Sequence, residues 1–415
     1  METVDWVSPL RPDRTDIAEY TERVRTALAG VIDFNAIGNG NAMRMASYVR
    51  KSPPFFNIGN DGRFHGSSLM ACRSISGIIV AHDYYIQELI LSCIEIEKEG
   101  WENRYIDIML KTYGRDGEIA AREYILGNLS FDCLIKEFPG IEYATDNSLC
   151  VITHNPALAD EISRRSGLFC GVLPLPFPVY DEEVSIDTEL SQHSSAPKEL
   201  LVFGYLNKNR QIEAICDLLS DPRFSRFRLN IAGAPTLDVQ ASINRHVSKG
   251  GRIADHGFLP ENELNALIRR ADLVLNLRSP SMGEVSGSQL RIFANKGVSA
   301  VVNTGWYSSL PDDTVVKIGE ATMKADLAAI FERLASGSPQ DFSGQRERGY
   351  QYVKQHHSLD AFRSAYERFC EALPEALLHG RRIQMAMRMK SAYQGAGANW
   401  NDVDSIIYDK VCALV

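Results

Sequence analysis

Residues 199–210 read Glu-Leu-Leu-Val-Phe-Gly-Tyr-Leu-Asn-Lys-Asn-Arg, an apolar run that leads into a glycine and two basic side chains. A helix-length amphipathic segment, Ile212 to Leu219, follows directly. A buried strand, a tight turn and a helix in this order form one βα unit, because a parallel strand needs a crossover helix before its neighbour begins. The stretch therefore predicts an α/β domain with a parallel sheet.

Two series of such strands are predicted, one in each half of the chain. Apolar, β-branched runs form the first series at 3–7, 55–58, 77–80, 149–152 and 172–175, and the second at 199–203, 227–231, 272–276 and 299–302. Only helical patterns follow, at 324–335, 358–373 and 375–393. Residues 180–197 lie between the series and are polar, acidic and serine-rich, which is typical of an interdomain linker.

These patterns predict two α/β domains. We expect the first domain to span 1–178, the linker 179–197 and the second domain 198–380, with a C-terminal helix crossing back so that 381–415 completes the first domain. Open parallel sheets bind ligands at the carboxyl ends of their strands. If the two sheets face each other, the cleft between them is the expected binding site.

Composition and charge exclude several classes of function. The chain has 415 residues, of which 45% are hydrophobic, so each domain can form a core. A formal net charge of -9 argues against duplex nucleic acid as the main partner. No apolar stretch approaches the roughly 18 residues of a membrane span, and the first residues do not resemble a secretion signal. We therefore expect a cytoplasmic protein.

No metal or other cofactor is expected from the sequence. The eight cysteines are scattered without a CxxC spacing and are predicted to be reduced core residues rather than disulfide partners or zinc ligands. Asp402-Val403-Asp404 is the one Asp-Xaa-Asp motif, and capping of a short helix is favoured over chelation of a divalent ion there.

The strongest local signal is the loop 279–291, Ser-Pro-Ser-Met-Gly-Glu-Val-Ser-Gly-Ser-Gln-Leu-Arg. It joins a predicted strand to a helical pattern, so backbone N–H groups, hydroxyls and the positive end of a helix dipole come together, as binding of a phosphate requires. Glu284 would repel a phosphate and is expected to accept hydrogen bonds from sugar hydroxyls instead. The alternative is an ordinary loop in which Glu284 compensates the helix dipole.

A second loop, 204–210, carries Lys208 and Arg210. Either side chain has the chemistry to bind a diphosphate, and Arg210 can do so in bidentate fashion. Basic residues beside a helix start oppose its dipole, which favours a ligand role. Taken alone, however, solvated surface charge is the favoured interpretation of these two residues.

Ordered motifs extend along roughly three-quarters of the chain. Those in the second half are Val202 to Arg210, Leu229 to Gly233, Asp255 to Leu259, Ala271 to Leu275, Met282 to Arg291 and Thr304-Gly305-Trp306-Tyr307. Those in the first half are Ser8 to Pro12 with Ile17 to Tyr20, Asn57 to Asn60 with His65, and His82-Asp83. Taken in this order, the motifs resemble the retaining glycosyltransferases of family four, and Thr304 to Tyr307 resembles a bacterial branch of it. That family has the GT-B architecture of two Rossmann-like domains.

The resemblance implies the site of a nucleotide-diphosphate sugar. Arg210, with Lys208 as a possible helper, stands where the family holds the donor diphosphate. Glu284 stands at the first acid of the family's Glu, seven residues, Glu signature and would contact sugar hydroxyls. His82 corresponds to the histidine that leans over the donor sugar, with Asp83 orienting it or the acceptor; a strand-end turn is the alternative. The further donor-binding residues are Gly204, Gly233, Ser286, Gly287, Ser288 and Arg291.

Three positions depart from the family pattern. Ile292 replaces the second acid of the signature, although Arg291 beside it agrees with the bacterial branch. Asp16 stands where relatives often have glycine, and Tyr205 stands where many have a second basic residue. Each departure is expected to weaken donor binding.

The resemblance implies transfer of a hexose from a UDP or GDP donor to a glycan, lipid-linked or protein acceptor, with retention at the anomeric carbon. The setting would be surface-polysaccharide or other glycan assembly. Arg210, Lys208 and the amides near Gly287 would stabilise the leaving diphosphate without a metal. The departures keep two alternatives open: a nucleotide-sugar or glycan-binding protein without turnover, and a GT-B nucleotide-sugar epimerase.

The segment 375–393 combines arginine, lysine and methionine side chains. A solvated basic face on a helix that crosses both domains is the favoured interpretation, and attachment to the inner face of an anionic membrane is the alternative. No nucleic-acid partner is expected.

Overall fold

The computed structural model describes residues 3–13, 15–47, 51–95, 99–179, 197–248, 252–336 and 340–395. The chain divides into two compact units. The first comprises Met1–Pro174, Met282–Glu284 and Phe362–Val415, and the second comprises Leu175–Ser281 and Val285–Ala361. The predicted linker falls almost wholly on 180–196, and Asp402-Val403-Asp404 falls within 396–415; both lie outside the described residues.

Six parallel strands, counted over the described residues, form the sheet of the first unit. They are β1 (Thr3–Ser8), β2 (Asp33–Gly38), β3 (Phe55–Ile58), β4 (Gly77–Ala81), β5 (Ser148–Thr153) and β6 (Cys170–Val172). Their order is β2-β1-β3-β4-β5-β6. Strands β4 and β5 are buried along their whole length, as expected for parallel strands with both faces covered.

Between β1 and β6, the described residues form seven α-helices. They are α1 (Asp16–Ala27), α2 (Gly62–Ser74), α3 (Gln87–Glu95), α4 (Trp101–Ile125), α5 (Phe131–Glu137), α6 (Ile141–Thr145) and α7 (Pro156–Ser166). Short polar side chains begin several of them: Thr15 Oγ1 accepts a hydrogen bond from the N–H of Ala18 (2.9 Å), and Asn155 Oδ1 accepts one from Ala157 (3.1 Å). A 3₁₀ helix spans Asn39–Ser47.

The second unit also contains a parallel sheet, of six strands among the described residues. They are β7 (Lys198–Leu206), β8 (Phe227–Pro235), β9 (Ile253–Asp255), β10 (Leu273–Leu275), β11 (Ser299–Val302) and β12 (Val316–Ile318), in the order β12-β11-β10-β7-β8-β9. Side chains along β7 alternate between two apolar clusters: Leu200 and Val202 belong to one, and Leu201 and Phe203 to the other. Alternation of this kind means that both faces of the strand are packed.

Helices and 3₁₀ turns cover this second sheet. The helices are α8 (Ile212–Leu219), α9 (Leu237–Ser248), α10 (Glu261–Arg270), α11 (Gly287–Ala294), α12 (Met323–Ser336) and α13 (Gln340–His357). The 3₁₀ turns are Lys208–Arg210, Pro222–Phe224 and Gly305–Ser309.

A single helix, α14 (Leu359–Gly395), ends the described chain and corrects the prediction of two helices at 358–373 and 375–393. Pro374 lies inside it and donates no backbone hydrogen bond, which is why the sequence indicates a break there. Buried side chains on both sides of the proline, among them Phe362, Tyr366 and Ala376, provide tertiary packing that outweighs this local loss.

The apolar strands predicted from the sequence are confirmed, with the run at 172–175 found instead as β6 at Cys170–Val172. Strands β2, β9 and β12, which lie at edges of the two sheets, are not predicted from the sequence. Two cysteines expected in the core, Cys133 and Cys370, are exposed. Across the described ranges, no helix has the length and hydropathy to cross a membrane.

Helix α14 packs closely on the start of β5, and Gly380 is the tightest point. A Cβ added there would lie 2.0 Å from the carbonyl oxygen of Leu149, a backbone atom that cannot move aside. We expect Gly380→Ala to lower the free energy of unfolding by about 1–3 kcal/mol. In Gly344→Ala the new Cβ meets only the guanidinium of Arg348, so the better helix propensity of alanine should raise stability by up to about 1 kcal/mol. Urea denaturation followed by circular dichroism measures both, and equal stability of the two variants would contradict this packing of α14.

Candidate functional site

Two glycines lie side by side near the carboxyl ends of β7 and β8. Gly204 pairs in register with Gly233. A Cβ on Gly233 would lie 1.9 Å from the carbonyl oxygen of Gly204, and Gly204 itself has a φ of 100°, in the region that favours glycine. The close approach of the two strands therefore requires both residues. Their role in donor binding stays a prediction.

Arg210 is buried at the carboxyl edge of the second sheet, with 4% of its surface exposed. It ends the 3₁₀ turn that follows β7, and its Nη1 donates a hydrogen bond to Oδ1 of Asn276 (2.8 Å). Surface charge was the alternative on residue type alone. The structure excludes that alternative for Arg210, because a guanidinium is buried only where its N–H groups find acceptors.

Asn276 connects Arg210 to the loop before α11. Because a guanidinium only donates, the carbonyl oxygen of Asn276 faces Arg210 and its amide nitrogen faces Oε1 of Gln289 (3.0 Å). The same nitrogen lies 3.5 Å from Oγ of Ser286, and Nε2 of Gln289 donates to Oγ of Ser299 (2.8 Å). This network is not predicted from the sequence. The available signal was an asparagine directly after the buried strand β10.

The loops 204–210 and 279–291, each singled out from the sequence, are in contact. The N–H of Ser279 donates to the carbonyl oxygen of Asn209 (3.0 Å), and Nε2 of Gln211 donates to the carbonyl oxygen of Ser279 (2.9 Å). Gln211 has a φ of 58°, the sharp turn that lets α8 begin directly after Arg210. The structure therefore brings Arg210 and the start of α11 to the same edge of the sheet.

Ser286 is the N-cap of α11, and its Oγ accepts a hydrogen bond from the N–H of Gln289 (3.1 Å). Gly287 and Ser288 form the first turn, where backbone N–H groups have no partner inside the helix. Both serines are buried. This is the geometry that suits an anion, since several N–H groups and the helix dipole point the same way.

Two of the predicted donor-binding side chains are engaged elsewhere. Lys208 is 87% exposed and its ammonium lies 3.5 Å from Asp238, an arrangement typical of weak surface ion pairs. Nη1 of Arg291 donates to Glu261 (2.9 Å) and to Asn265 (3.0 Å) on α10. Neither joins the Arg210 network in any contact described above. Their donor-binding roles stay predictions.

Glu284 lies in the short segment Met282–Glu284 that groups with the first unit. It is 8% exposed, and its Oε2 accepts a hydrogen bond from the N–H of Met282 (2.7 Å). The carbonyl oxygen of Met282 accepts from Tyr84 (2.9 Å), and that of Gly283 accepts from Nδ2 of Asn155 (3.1 Å). The carboxylate is therefore held on a fixed backbone rather than on a free loop tip.

His82 and Asp83 follow β4 at the carboxyl edge of the first sheet. His82 is 9% exposed, and its Nε2 lies 2.9 Å from Oδ1 of Asn57. Asp83 is half-buried, and its Oδ2 accepts a hydrogen bond from the N–H of Asn60 (2.7 Å). Tyr84, directly after Asp83, donates its N–H to the carbonyl oxygen of Met282. The three predicted catalytic residues, His82, Asp83 and Glu284, therefore belong to the same unit.

The three departures from the family pattern have different settings. Ile292 is fully buried in the cluster of Leu201, Phe203 and Ile268. Asp16 is exposed in the first turn of α1, where a carboxylate favours the helix dipole. Tyr205 is 47% exposed, with its ring 6.5 Å from that of Phe258.

In the part of the chain that the structure describes, no three His, Cys, Asp or Glu side chains are grouped to hold a metal ion.

The sequence matches no protein-family model, and no curated protein sequence is significantly similar to it. Several solved structures are similar in fold. Sucrose-phosphate synthase from Thermosynechococcus elongatus has a TM-score of 0.59 at 12% identity, covering 91% of this chain and 100% of its own. HepE of Anabaena in complex with UDP has a TM-score of 0.52 at 10% identity, covering 90% and 100%. α,α-Trehalose 6-phosphate synthase from Burkholderia multivorans has a TM-score of 0.51 at 11% identity, covering 91% and 100%.

The chain has the GT-B fold. Its two parallel six-stranded sheets with flanking helices, as described above, match these glycosyltransferase structures over nine-tenths of its length. The fold class expected from the sequence is therefore confirmed. The buried Arg210 and the start of α11 lie at the carboxyl edge of one sheet of this GT-B fold, and His82 lies at that of the other.

The setting of Ile292 yields a direct test. Ile292→Glu restores the second acid of the family signature but puts a carboxylate into an apolar cluster. We expect loss of roughly 3–5 kcal/mol of stability, or failure to fold, whereas Ile292→Val should cost about 1 kcal/mol. Thermal unfolding of the two variants measures this. A stable Ile292→Glu variant with tighter UDP binding would show that position 292 faces the ligand.

Proposed function

We propose that this protein is a retaining glycosyltransferase that transfers a hexose from UDP or GDP to an acceptor hydroxyl in glycan or surface-polysaccharide assembly. The observation that carries the proposal is the buried guanidinium of Arg210, which Asn276 joins to Ser286 at the start of α11. A fixed cation beside a helix N-terminus is suited to a diphosphate. The fold adds support, since HepE shares it and has been solved with UDP and with UDP-glucose.

In the proposed reaction the bond between the anomeric carbon and the donor phosphate oxygen breaks, and the acceptor oxygen bonds to the same carbon on the same face. The acceptor's proton passes to the departing phosphate oxygen. Arg210 and the backbone amides of Ser286, Gly287 and Ser288 stabilise the charge that develops on the diphosphate. Lys208, which is exposed, adds a second cation when the donor is bound. No metal is assigned a role in this proposal.

The first unit supplies the contacts to the sugar in this proposal. Glu284 accepts hydrogen bonds from sugar hydroxyls. His82 contacts the donor sugar, and Asp83, fixed on the N–H of Asn60, orients the acceptor hydroxyl. Gly204 and Gly233 keep the backbone close beside the diphosphate.

Binding without turnover is the second candidate, and the burial of Ile292 favours it. A carboxylate at this position would contact the ribose in the related family, and here the side chain belongs to the core. Turnover of the donor in the presence of an acceptor supports the transferase, and rearrangement of the donor alone supports an epimerase. Tight nucleotide-sugar binding with neither reaction supports the non-catalytic alternative.

The donor site is tested by calorimetric titration with UDP and GDP, then with UDP-glucose and GDP-mannose, in chelator and again with magnesium. We expect one nucleotide to bind in chelator and Arg210→Ala to weaken that binding at least roughly tenfold, because a charge-assisted contact is lost. Arg228→Ala, at a half-exposed arginine on β8, is the matched control and should bind as wild type does. If neither nucleotide binds, the proposed function is wrong.

Catalytic roles require a turnover assay once a donor and an acceptor are known. Arg210→Ala and Glu284→Ala should each reduce kcat/KM at least roughly 100-fold, because each removes a contact that strengthens in the transition state. Unfolding midpoints of the variants show whether the fold is retained. Near-normal kinetics in a folded variant would remove that residue from the site.

Peripheral attachment to an anionic membrane is a separate proposal, based on α14. Arg381 and Arg388 are exposed there beside Met385 and Met387, which are 54% and 46% exposed. Replacing both arginines by glutamate should lower affinity for phosphatidylglycerol vesicles by roughly 10-fold or more, since each cation contributes about 1 kcal/mol. Arg228→Glu with Arg270→Glu, both outside α14, changes the net charge equally and is the control in vesicle flotation. Equal loss in both double variants, or no binding by wild type, would contradict a dedicated surface on α14.

A further inference from the structure

Three buried histidines gather at the carboxyl edge of the first sheet, and a carbonyl oxygen faces one nitrogen of each ring. Nδ1 of His65 lies 3.0 Å from the main-chain oxygen of Asn57, and Nδ1 of His154 lies 2.8 Å from that of Leu173. Nε2 of His82 lies 2.9 Å from the side-chain oxygen of Asn57. Because a carbonyl oxygen only accepts, each of these nitrogens carries a hydrogen. His82 is thus the Nε2–H form, and the other two are Nδ1–H forms.

The assignment for His82 depends on which way the amide of Asn57 points, and a second contact fixes that direction. Nδ2 of Asn57 donates to the main-chain oxygen of Val7 (3.0 Å). The two amide atoms cannot be exchanged, because an amide oxygen facing the oxygen of Val7 would leave two acceptors together. Asn57 has no exposed surface, so water cannot substitute for either bond.

Burial keeps the ring of His82 neutral. It lowers the pKa of His82 well below its usual value, and repulsion from His154 and His65 acts in the same direction. The rings of Tyr20 and His154 pack against it at 4.6 and 5.0 Å, and neither ring offers a negative charge that would favour an imidazolium. A neutral ring with a hydrogen on Nε2 has a lone pair on Nδ1.

His82 is also the most exposed residue of the three. It keeps 9% of its surface exposed, against 2% for His65 and 3% for His154. An imidazole nitrogen with a fixed lone pair recognises a hydrogen-bond donor. It repels a carboxylate or phosphate, since an anion brought against a lone pair in a buried site gains no hydrogen bond in return for its lost hydration.

We propose that Asn57 is a positioning residue that holds His82 as the Nε2–H tautomer, so that Nδ1 accepts a hydrogen bond from a hydroxyl of a neutral hexose and discriminates against a hexuronate. The inference rests on the proposed function for its substrate, but the tautomer itself is a property of the protein alone. The two parts therefore have separate tests.

The tautomer is measured by long-range proton–nitrogen NMR correlation on the free protein labelled with ¹⁵N. In wild type we expect the Nε2–H pattern for His82 and the Nδ1–H pattern for His65 and His154. In Asn57→Ala only His82 should lose its fixed pattern, because the partner of His65 is the main chain of residue 57, which alanine retains. An Nδ1–H or doubly protonated His82 in the wild-type protein at pH 7 overturns the proposal without any variant.

The sugar preference is measured by calorimetry with UDP, UDP-glucose and UDP-glucuronate, or with GDP, GDP-mannose and GDP-mannuronate if the protein prefers GDP. Wild type should bind the neutral sugar nucleotide at least roughly tenfold more tightly than the uronate, the effect of about 1.4 kcal/mol. Asn57→Ala should reduce this ratio to within roughly threefold while affinity for the bare nucleotide stays within roughly twofold of wild type.

Gln87→Ala is the matched control. Gln87 is equally buried in the same unit; its amide donates to the carbonyl oxygen of Phe138 (2.7 Å) and accepts from the hydroxyl of Tyr105 (2.9 Å). It should lose comparable stability and keep the wild-type sugar preference. Equal binding of both sugar nucleotides by wild type, or an equal loss of preference in Gln87→Ala, overturns the inference while leaving the proposed function intact. Absence of any nucleotide binding overturns the proposed function and the sugar preference with it, and the NMR result on Asn57 stands by itself.

Discussion

A polar side chain in a strand that is buried on both faces has no water to bind. Only at the end of the strand can such a side chain reach other polar groups or solvent. In β3, β4 and β10 every residue is buried, and Asn57, His82 and Asn276 lie within one residue of the ends of these strands. A polar group at this boundary is partly shielded from water, so it must find its partners inside the protein. The polar side chains of the candidate site therefore lie at the carboxyl edge of the sheet in each unit. Hydrogen bonds within the protein fix their geometry.

One asparagine in each unit meets this requirement in the same way. Asn276 offers its oxygen to Arg210 and its nitrogen to Gln289, and Asn57 offers its oxygen to His82 and its nitrogen to Val7. A primary amide suits the task because it donates and accepts at once, so each contact fixes the direction of the other. A carboxylate in either place would only accept: it would add a negative charge beside Arg210 and would favour a charged His82. The neutral amide orients the functional group without altering its charge.

The sequence was sufficient to predict the strands of the interior but not those at the edges. Apolar runs such as 77–80 and 149–152 identify β4 and β5, whereas β2 is partly exposed and carries Asp33 and Asn35, which resemble loop residues. The continuity of α14 through Pro374 depends on tertiary packing that no local pattern contains. Within the candidate site, the resemblance identified Arg210 and His82, but residue type alone would assign a buried arginine to the surface. The contact of Asn276 could not be predicted from the sequence, because its partner Arg210 is 66 residues away in the chain.

In helix α11, the neighbouring side chains of Arg291 and Ile292 have different surroundings. Consecutive side chains on a helix point about 100° apart, so Arg291 and Ile292 cannot serve the same surface. Arg291 turns to Glu261 and Asn265 on α10, while Ile292 enters the apolar cluster between α10 and the sheet. Burying an isoleucine contributes about 1.5–3 kcal/mol to folding, whereas an exposed carboxylate at the same place contributes only through a bound ligand. With no acid at position 292, the proposed donor lacks the ribose contact that the second acid of the family signature would provide. Binding of the proposed donor then depends more strongly on the guanidinium of Arg210 and on the backbone amides at the start of α11. The hydrogen-bond network of Asn276 fixes the geometry of both.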